Sequence, residues 1–109
     1  EIPNADGDAG DTLIFFAASR EKASNFAKKL SAKGIGTKNL PDAINWHYAG
    51  TWTHIFYNYP GYKGKDLEKV WHKSTDYLRR SIALPIMVNM TKERINYIVD
   101  TIKEIVKEK

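Results

Sequence analysis

Residues 41–62 read PDAINWHYAGTWTHIFYNYPGY. This one segment holds two of the three tryptophans, Trp46 and Trp52, and four of the six tyrosines, Tyr48, Tyr57, Tyr59 and Tyr62. It also holds two of the three histidines, His47 and His54. It has no firm helical period. So many rings in one loop cost solubility unless they are packed against something or used to hold something. The fold must therefore turn this loop inward as core or present it as one side of a binding surface.

The segments around it read as ordinary small-domain elements. Residues 1–11 (EIPNADGDAGD) are polar and read as an arm or linker. Thr12–Ala17 (TLIFFA) is an apolar, β-rich run that predicts a buried strand. Ser19 is placed to cap a helix, with Glu21 in its first turn. Ala23, Phe26, Ala27 and Leu30 fall on one face of that helix, and Gly34 is placed to end it in a left-handed conformation. Gly36–Leu40 reads as a weaker strand stopped by Pro41. After the aromatic loop, Lys65–Arg80 carries Leu67, Val70, Trp71, Ser74, Tyr77 and Leu78 on one face, which predicts a single helix. Ile82–Met87 is a short apolar run that Pro85, lacking an N–H, makes an edge strand or ends early. Thr91 caps a last helix with Glu93 in its first turn. Its predicted buried stripe is Ile95, Ile98, Val99, Ile102, Ile105 and Val106. The order β-α-β-loop-α-β-α predicts an α/β (α+β) fold: one small domain over 12–109 with a sheet of about three strands and helices packed on it.

At 109 residues the chain is sized for one domain and one modest core. It has no cysteine, which excludes disulfides, thiolate nucleophiles and thiolate metal sites. The net charge of +4 is spread along helices, the pattern of a solvated surface, so neither nucleic acid nor membrane is expected as a partner. The opening residues have no basic head and no apolar stretch, so no signal peptide is expected and the reading is cytoplasmic. They also lack an initiator Met, as a piece of a longer protein would.

Few residues offer chemistry. His47 and His54 stand seven apart without a cysteine or a close histidine pair, so no metal site is expected. His72 reads as a surface histidine. Asp6, Asp8 and Asp11 lack the closing glutamate and the glycine placement of a calcium loop. Asn89-Met90-Thr91 matches a glycosylation sequon but reads as a turn and helix cap. No serine has a nucleophile-elbow setting, and Gly34-Ile35-Gly36 joins a helix to a strand, the reverse of a dinucleotide loop. The aromatic loop remains. Stacked rings with imidazole, indole N–H and phenol are a common way to hold a sugar. Gly50 would let backbone pass close to a bound group.

The run GIGTKNLPDAINWHYAGTWTHIF, then a helix ending LRRSIALPIMVNMTKERINYIVDTIKEI, resembles the C-terminal end of DegT/StrS-type sugar aminotransferases. The WHYAGTW loop looks most like the subgroup that aminates an eight-carbon keto-sugar acid. The matching features are Gly34-Ile35, a loop ending in His47, the strand Ser81–Pro85, and a closing helix from Thr91–Glu93. The resemblance covers most of residues 10–109 and implies the small domain of a fold-type-I enzyme that uses pyridoxal 5'-phosphate. It implies that the large domain, with the Schiff-base lysine and the other cofactor-binding groups, is not in this chain. The isolated chain is then expected to bind no cofactor and to be inactive. The parent enzyme would be a homodimer that moves an amino group from a donor, commonly glutamate, to a keto-sugar or sugar nucleotide. On this resemblance His47, Trp46 and Tyr48 are the first candidates for sugar contact. Trp52 and His54 come second, and Arg79 and Arg80 are candidates for a substrate carboxylate or phosphate. The two arginines read equally well as surface charges favoured at a helix C-terminus. Two other functions stay open: an independent carbohydrate- or nucleotide-binding module using the aromatic loop, and a basic nucleic-acid binder on a ferredoxin-like sheet.

Overall fold

A computed structural model describes residues 10–39, 42 and 45–108. The arm expected over 1–11 lies outside the described residues except for Gly10 and Asp11. Strand β1 (Thr12–Phe16) leads into helix α1 (Arg20–Ala32). The aromatic loop follows as two short 3-10 turns, Asn45–His47 and Ala49–Thr51, and one helical turn, α2 (Thr53–Phe56). Then come α3 (Leu67–Val70), α4 (His72–Arg80), β2 (Ser81–Pro85) and α5 (Lys92–Lys107). Mixed helix and strand agree with the α+β reading.

The helix boundaries follow local rules. The Ser19 hydroxyl accepts from Lys22 N–H at 3.2 Å, and the Thr91 hydroxyl accepts from Arg94 N–H at 3.2 Å, each satisfying a first-turn donor. Gly34 takes φ 72° after α1, and Ile35 N–H returns to Leu30 O at 2.9 Å.

The expected third strand is a single rung, so among the described residues the sheet has two strands. β1 and β2 pair antiparallel, with Thr12 opposite Pro85 and Phe16 opposite Ser81. On the far side of β2, Lys38 and Ala83 exchange main-chain hydrogen bonds of 2.9 and 3.2 Å. A further rung toward Gly36 would need an N–H from Pro85, which has none. A further rung the other way would need the carbonyl of Ser81, which accepts from Asn39 Nδ2 at 3.1 Å. Pairing therefore stops after one residue.

The core is one layer deep. Ala23 and Leu30 of α1, Ile35, Ile82 and Leu84 of β2 side, and Ile105 of α5 form it, with Phe15, Phe26, Ile98 and Ile102 packed around. Phe15 and Phe26 meet edge to face at 5.6 Å. β1 is not the buried strand its composition predicts. Phe15 packs on the core, Leu13 on the same face is left half-exposed at its edge, and Ile14 and Phe16 are half-exposed on the other face. The α5 stripe is likewise half covered. Ile98, Ile102 and Ile105 pack inward, whereas Ile95, Val99 and Val106 are exposed. Ile95 and Val99 join Leu13, Ile86, Met87 and Met90 in lining an apolar groove of about 270 Å³.

The expected helix over Lys65–Arg80 is broken at Trp71, whose φ and ψ of −110° and 45° leave the helical region. The Trp71 ring is held by Phe56 at 4.8 Å and Tyr62 at 5.7 Å. The molecule measures 53 × 36 × 22 Å, with a radius of gyration of 16.7 Å. A compact chain of this length would have about 13 Å. Its accessible surface is 8277 Å². A compact monomer of this mass would expose about 6200 Å². Among the described residues, no helix is long and apolar enough to cross a membrane.

Candidate functional site

The aromatic loop divides into an inward part and an outward part. Tyr48 is the inward anchor, 3% exposed. Its hydroxyl donates to Thr75 Oγ1 at 2.6 Å, and Thr75 Oγ1 donates to Glu68 O at 3.1 Å. Glu68 O is a carbonyl that an unbroken helix would have bonded to His72 N–H. The break at Trp71 frees it, and the Tyr48–Thr75 pair takes it up. Gly50 lies against the Tyr48 ring: a Cβ at residue 50 would stand 2.5 Å from the tyrosine Cζ and 2.7 Å from its oxygen. The close approach expected at Gly50 is therefore to the loop's own tyrosine and not to a bound group. Tyr48, a candidate for sugar contact, is enclosed and works as this anchor. Phe56, Tyr62 and Trp71 form a second self-packed cluster, with Phe56 and Tyr62 edge to face at 5.4 Å. Tyr57 donates its hydroxyl to Lys65 O at 3.1 Å and ties down the end of the loop.

The outward part is Trp46 and His47. Their ring centroids are 3.5 Å apart at 60°, and Trp46 is 68% exposed. The turn that carries them is fixed by its neighbours. Trp52 Nε1 donates to Trp46 O at 2.7 Å, and the Thr51 hydroxyl reaches Asn45 O at 2.9 Å and Tyr48 O at 2.8 Å. Trp52 thus spends its indole donor on the loop's own backbone. His54 is exposed on α2 and does not line the hollow that His47 borders.

His47 lines a hollow of about 420 Å³ on the outer face of the sheet. Ile14 and Phe16 of β1, Ala83 of β2 and Leu78 of α4 give its apolar surface. Lys38, His47 and Tyr77 supply polar tips. Ser81 also lines it, but its hydroxyl is committed to Leu78 O at 2.7 Å. The Tyr77 ring meets Phe16 edge to face at 5.6 Å. The hollow has the size and make-up of a small-molecule site: an apolar floor with few convergent polar groups. An ammonium, an imidazole and a phenol could hydrogen-bond hydroxyl, carbonyl or carboxylate groups of a ligand whose flat side lies on that floor.

The two arginines lie elsewhere. Arg79 pairs with the Glu68 carboxylate, with its guanidinium 5.9 Å from the Tyr48 ring centroid. Arg80 donates to Asp76 Oδ2 and to Ala17 O, both at 2.9 Å, and stands 5.5 Å from the Tyr77 centroid. Both act as internal ties, with side chains only 17% and 23% exposed, so they are neither free for a ligand here nor the freely solvated surface charges of the other reading. Of the seven candidates, only His47 lines the hollow, and Trp46 touches it through the His47 ring. Lys38, Tyr77, Ile14 and Phe16 were not singled out by sequence. The signal for two of them was present: TLIFF is apolar at consecutive positions, so both faces of the strand need cover.

Among the described residues, no group of three or more His, Cys, Asp or Glu could hold a metal ion. No known family model matches the chain, and no solved structure matches it.

Proposed function

We propose that this chain is the substrate-recognising and closing domain of a pyridoxal-phosphate-dependent sugar aminotransferase of the DegT/StrS type. The observation that carries this reading is the position of His47. The resemblance assigns this residue to the active site, and here it borders a ligand-sized hollow while its neighbour Trp46 projects into solvent. The exposed apolar faces and the excess surface also suit a domain that is completed by a larger body. The lining of the hollow contains no carboxylate to pair a pyridinium nitrogen. The cofactor therefore belongs to the large domain in this reading, and no step through it is assigned to these residues. Their work is to hold the sugar. Ile14 and Phe16 cover its apolar side, and Lys38, His47 and Tyr77 orient its oxygens toward the facing domain. The keto-sugar acid subgroup remains the finer form of the proposal.

The test uses the product of the whole gene. His47→Ala is expected to lower kcat/KM for the keto-sugar by about 10²-fold, roughly 2.7 kcal/mol. The half-reaction with the amino donor, followed by cofactor absorbance, is expected to stay within about twofold. Equal loss in both half-reactions, or a gene product without amination activity, would overturn the reading.

One observation favours a second reading. The hollow is built by this chain alone, as an independent carbohydrate- or nucleotide-binding module requires. That reading expects the isolated chain to change its tryptophan fluorescence on titration with sugars or sugar nucleotides. A flat titration across such a panel rejects it.

A further inference from the structure

The two edges of the sheet are treated differently. Ala17 N–H donates to Arg80 O at 2.9 Å, and Ile86 N–H donates to Asp11 O at 2.7 Å. With the register of β1 on β2, these two bonds set the phase of the ladder. Residues 11, 13, 15 and 17 point their main-chain groups at β2. Thr12, Ile14 and Phe16 point theirs the other way. On β2 the same phase sends Ser81, Ala83 and Pro85 away from β1. All three of those outward positions are closed. Ser81 O accepts from Asn39, Ala83 is bridged by Lys38, and Pro85 has no N–H. On β1, among the described residues, no main-chain hydrogen bond reaches Thr12, Ile14 or Phe16 from that side, so all three positions are open there.

Nothing in β1 guards this edge. Natural edge strands carry lysine, proline or a bulge to prevent pairing, and TLIFF has none of these. The strand is also compatible with itself. In an antiparallel pair centred on Ile14, Thr12 faces Phe16 of the second copy and Ile14 faces Ile14. The one flanking acid, Asp11, falls opposite Ala17, so no like charges oppose. All three open pairs are then used at once, each exchanging two hydrogen bonds. Ile14 and Phe16, 55% and 52% exposed, gain cover from their counterparts.

We infer that β1 is a docking edge for a second copy of this chain, joining two sheets into one of order β2-β1-β1-β2 about a twofold axis at Ile14. Because the outer edges are the closed ones, the pairing ends at two copies and does not grow into a fibre. This goes beyond the aminotransferase reading and does not depend on it.

Sedimentation equilibrium of the chain over roughly 10 µM to 1 mM tests it. The mass is expected to rise from 12.5 kDa toward twice that value. Ile14→Lys puts two ammonium groups against each other and is expected to weaken association by about tenfold or more, with an unchanged far-ultraviolet spectrum. Ile14→Glu is expected to do the same, and an equimolar mixture of the two variants to associate again. In Ile14→Cys the thiol is the chain's only one, and opposed Cα atoms at about 5.5 Å permit a disulfide. It is expected to cross-link under mild oxidation faster than Val88→Cys, a fully exposed control. A wild-type chain that stays at 12.5 kDa throughout, or lysine and glutamate variants that each associate like wild type, would overturn the inference.

Discussion

Gly50 and Tyr48 settle how the aromatic loop is held. The tyrosine ring passes directly over residue 50, and its hydroxyl is fixed by Thr75, so it cannot swing away from an added methyl. Gly50→Ala is expected to cost about 1–3 kcal/mol in urea unfolding. Tyr48→Phe removes one hydrogen bond but leaves Thr75 on Glu68 O, and is expected to cost about 1 kcal/mol. Thr75→Val strands both the tyrosine hydroxyl and the Glu68 carbonyl, so it should cost more than Tyr48→Phe in the same assay. The composition of the loop was plain in the sequence. The enclosure of Tyr48 was not, because its partner lies 27 residues away on a helix. Lys38 and Tyr77 were missed for the same reason: neighbours from β1, β2, α4, the first 3-10 turn and the Lys38 segment define the hollow, and no local pattern records them.

The helices were the most legible elements, since their ends obey rules that span four or five residues. Ser19, Gly34 and Thr91 act as read. Ser19→Ala and Thr91→Ala are each expected to cost about 1 kcal/mol, checked by thermal or urea unfolding. The break at Trp71 was illegible because the apolar face continues through it. At the break the indole packs on Phe56 and Tyr62, which lie outside the segment and leave no mark in its periodicity. The missing strand was illegible because ladder growth beyond Lys38 depends on what Pro85 and Ser81 present across the gap. Both ends of α5 carry a carboxylate that titrates below its ordinary range. Backbone hydrogen bonding and then the Thr91 hydroxyl lower Glu93, and hydrogen bonding and then charge from Lys29 lower Glu108. Lowered folded values mean that the unfolded chain takes up protons first. Their contribution is complete above the unfolded value and is lost as pH falls through the folded one. Amide exchange in the first and last turns of α5, corrected for intrinsic rate, is therefore expected to speed up on acidification below the ordinary carboxylate range. Glu108→Gln should abolish the pH dependence of the last turn while sparing the first.

At the scale of the molecule, the apolar groove beside α5 contributes little to the isolated fold because its rim is wet. Met87→Ser and Ile95→Gln are each expected to change the stability of the isolated chain by no more than about 0.5 kcal/mol. A loss of several kcal/mol would place those side chains in the core instead. The thinness of the body, 22 Å in its shortest direction, has a wider consequence. Such a slab has room for one layer of enclosed side chains, so whatever lies on its outer faces takes part in deciding how firmly it holds together. Anything that binds the folded form and not the unfolded one raises its melting temperature by mass action. The thermal midpoint of this chain is then a function of concentration and company, and a value measured in dilute solution marks only its lower bound.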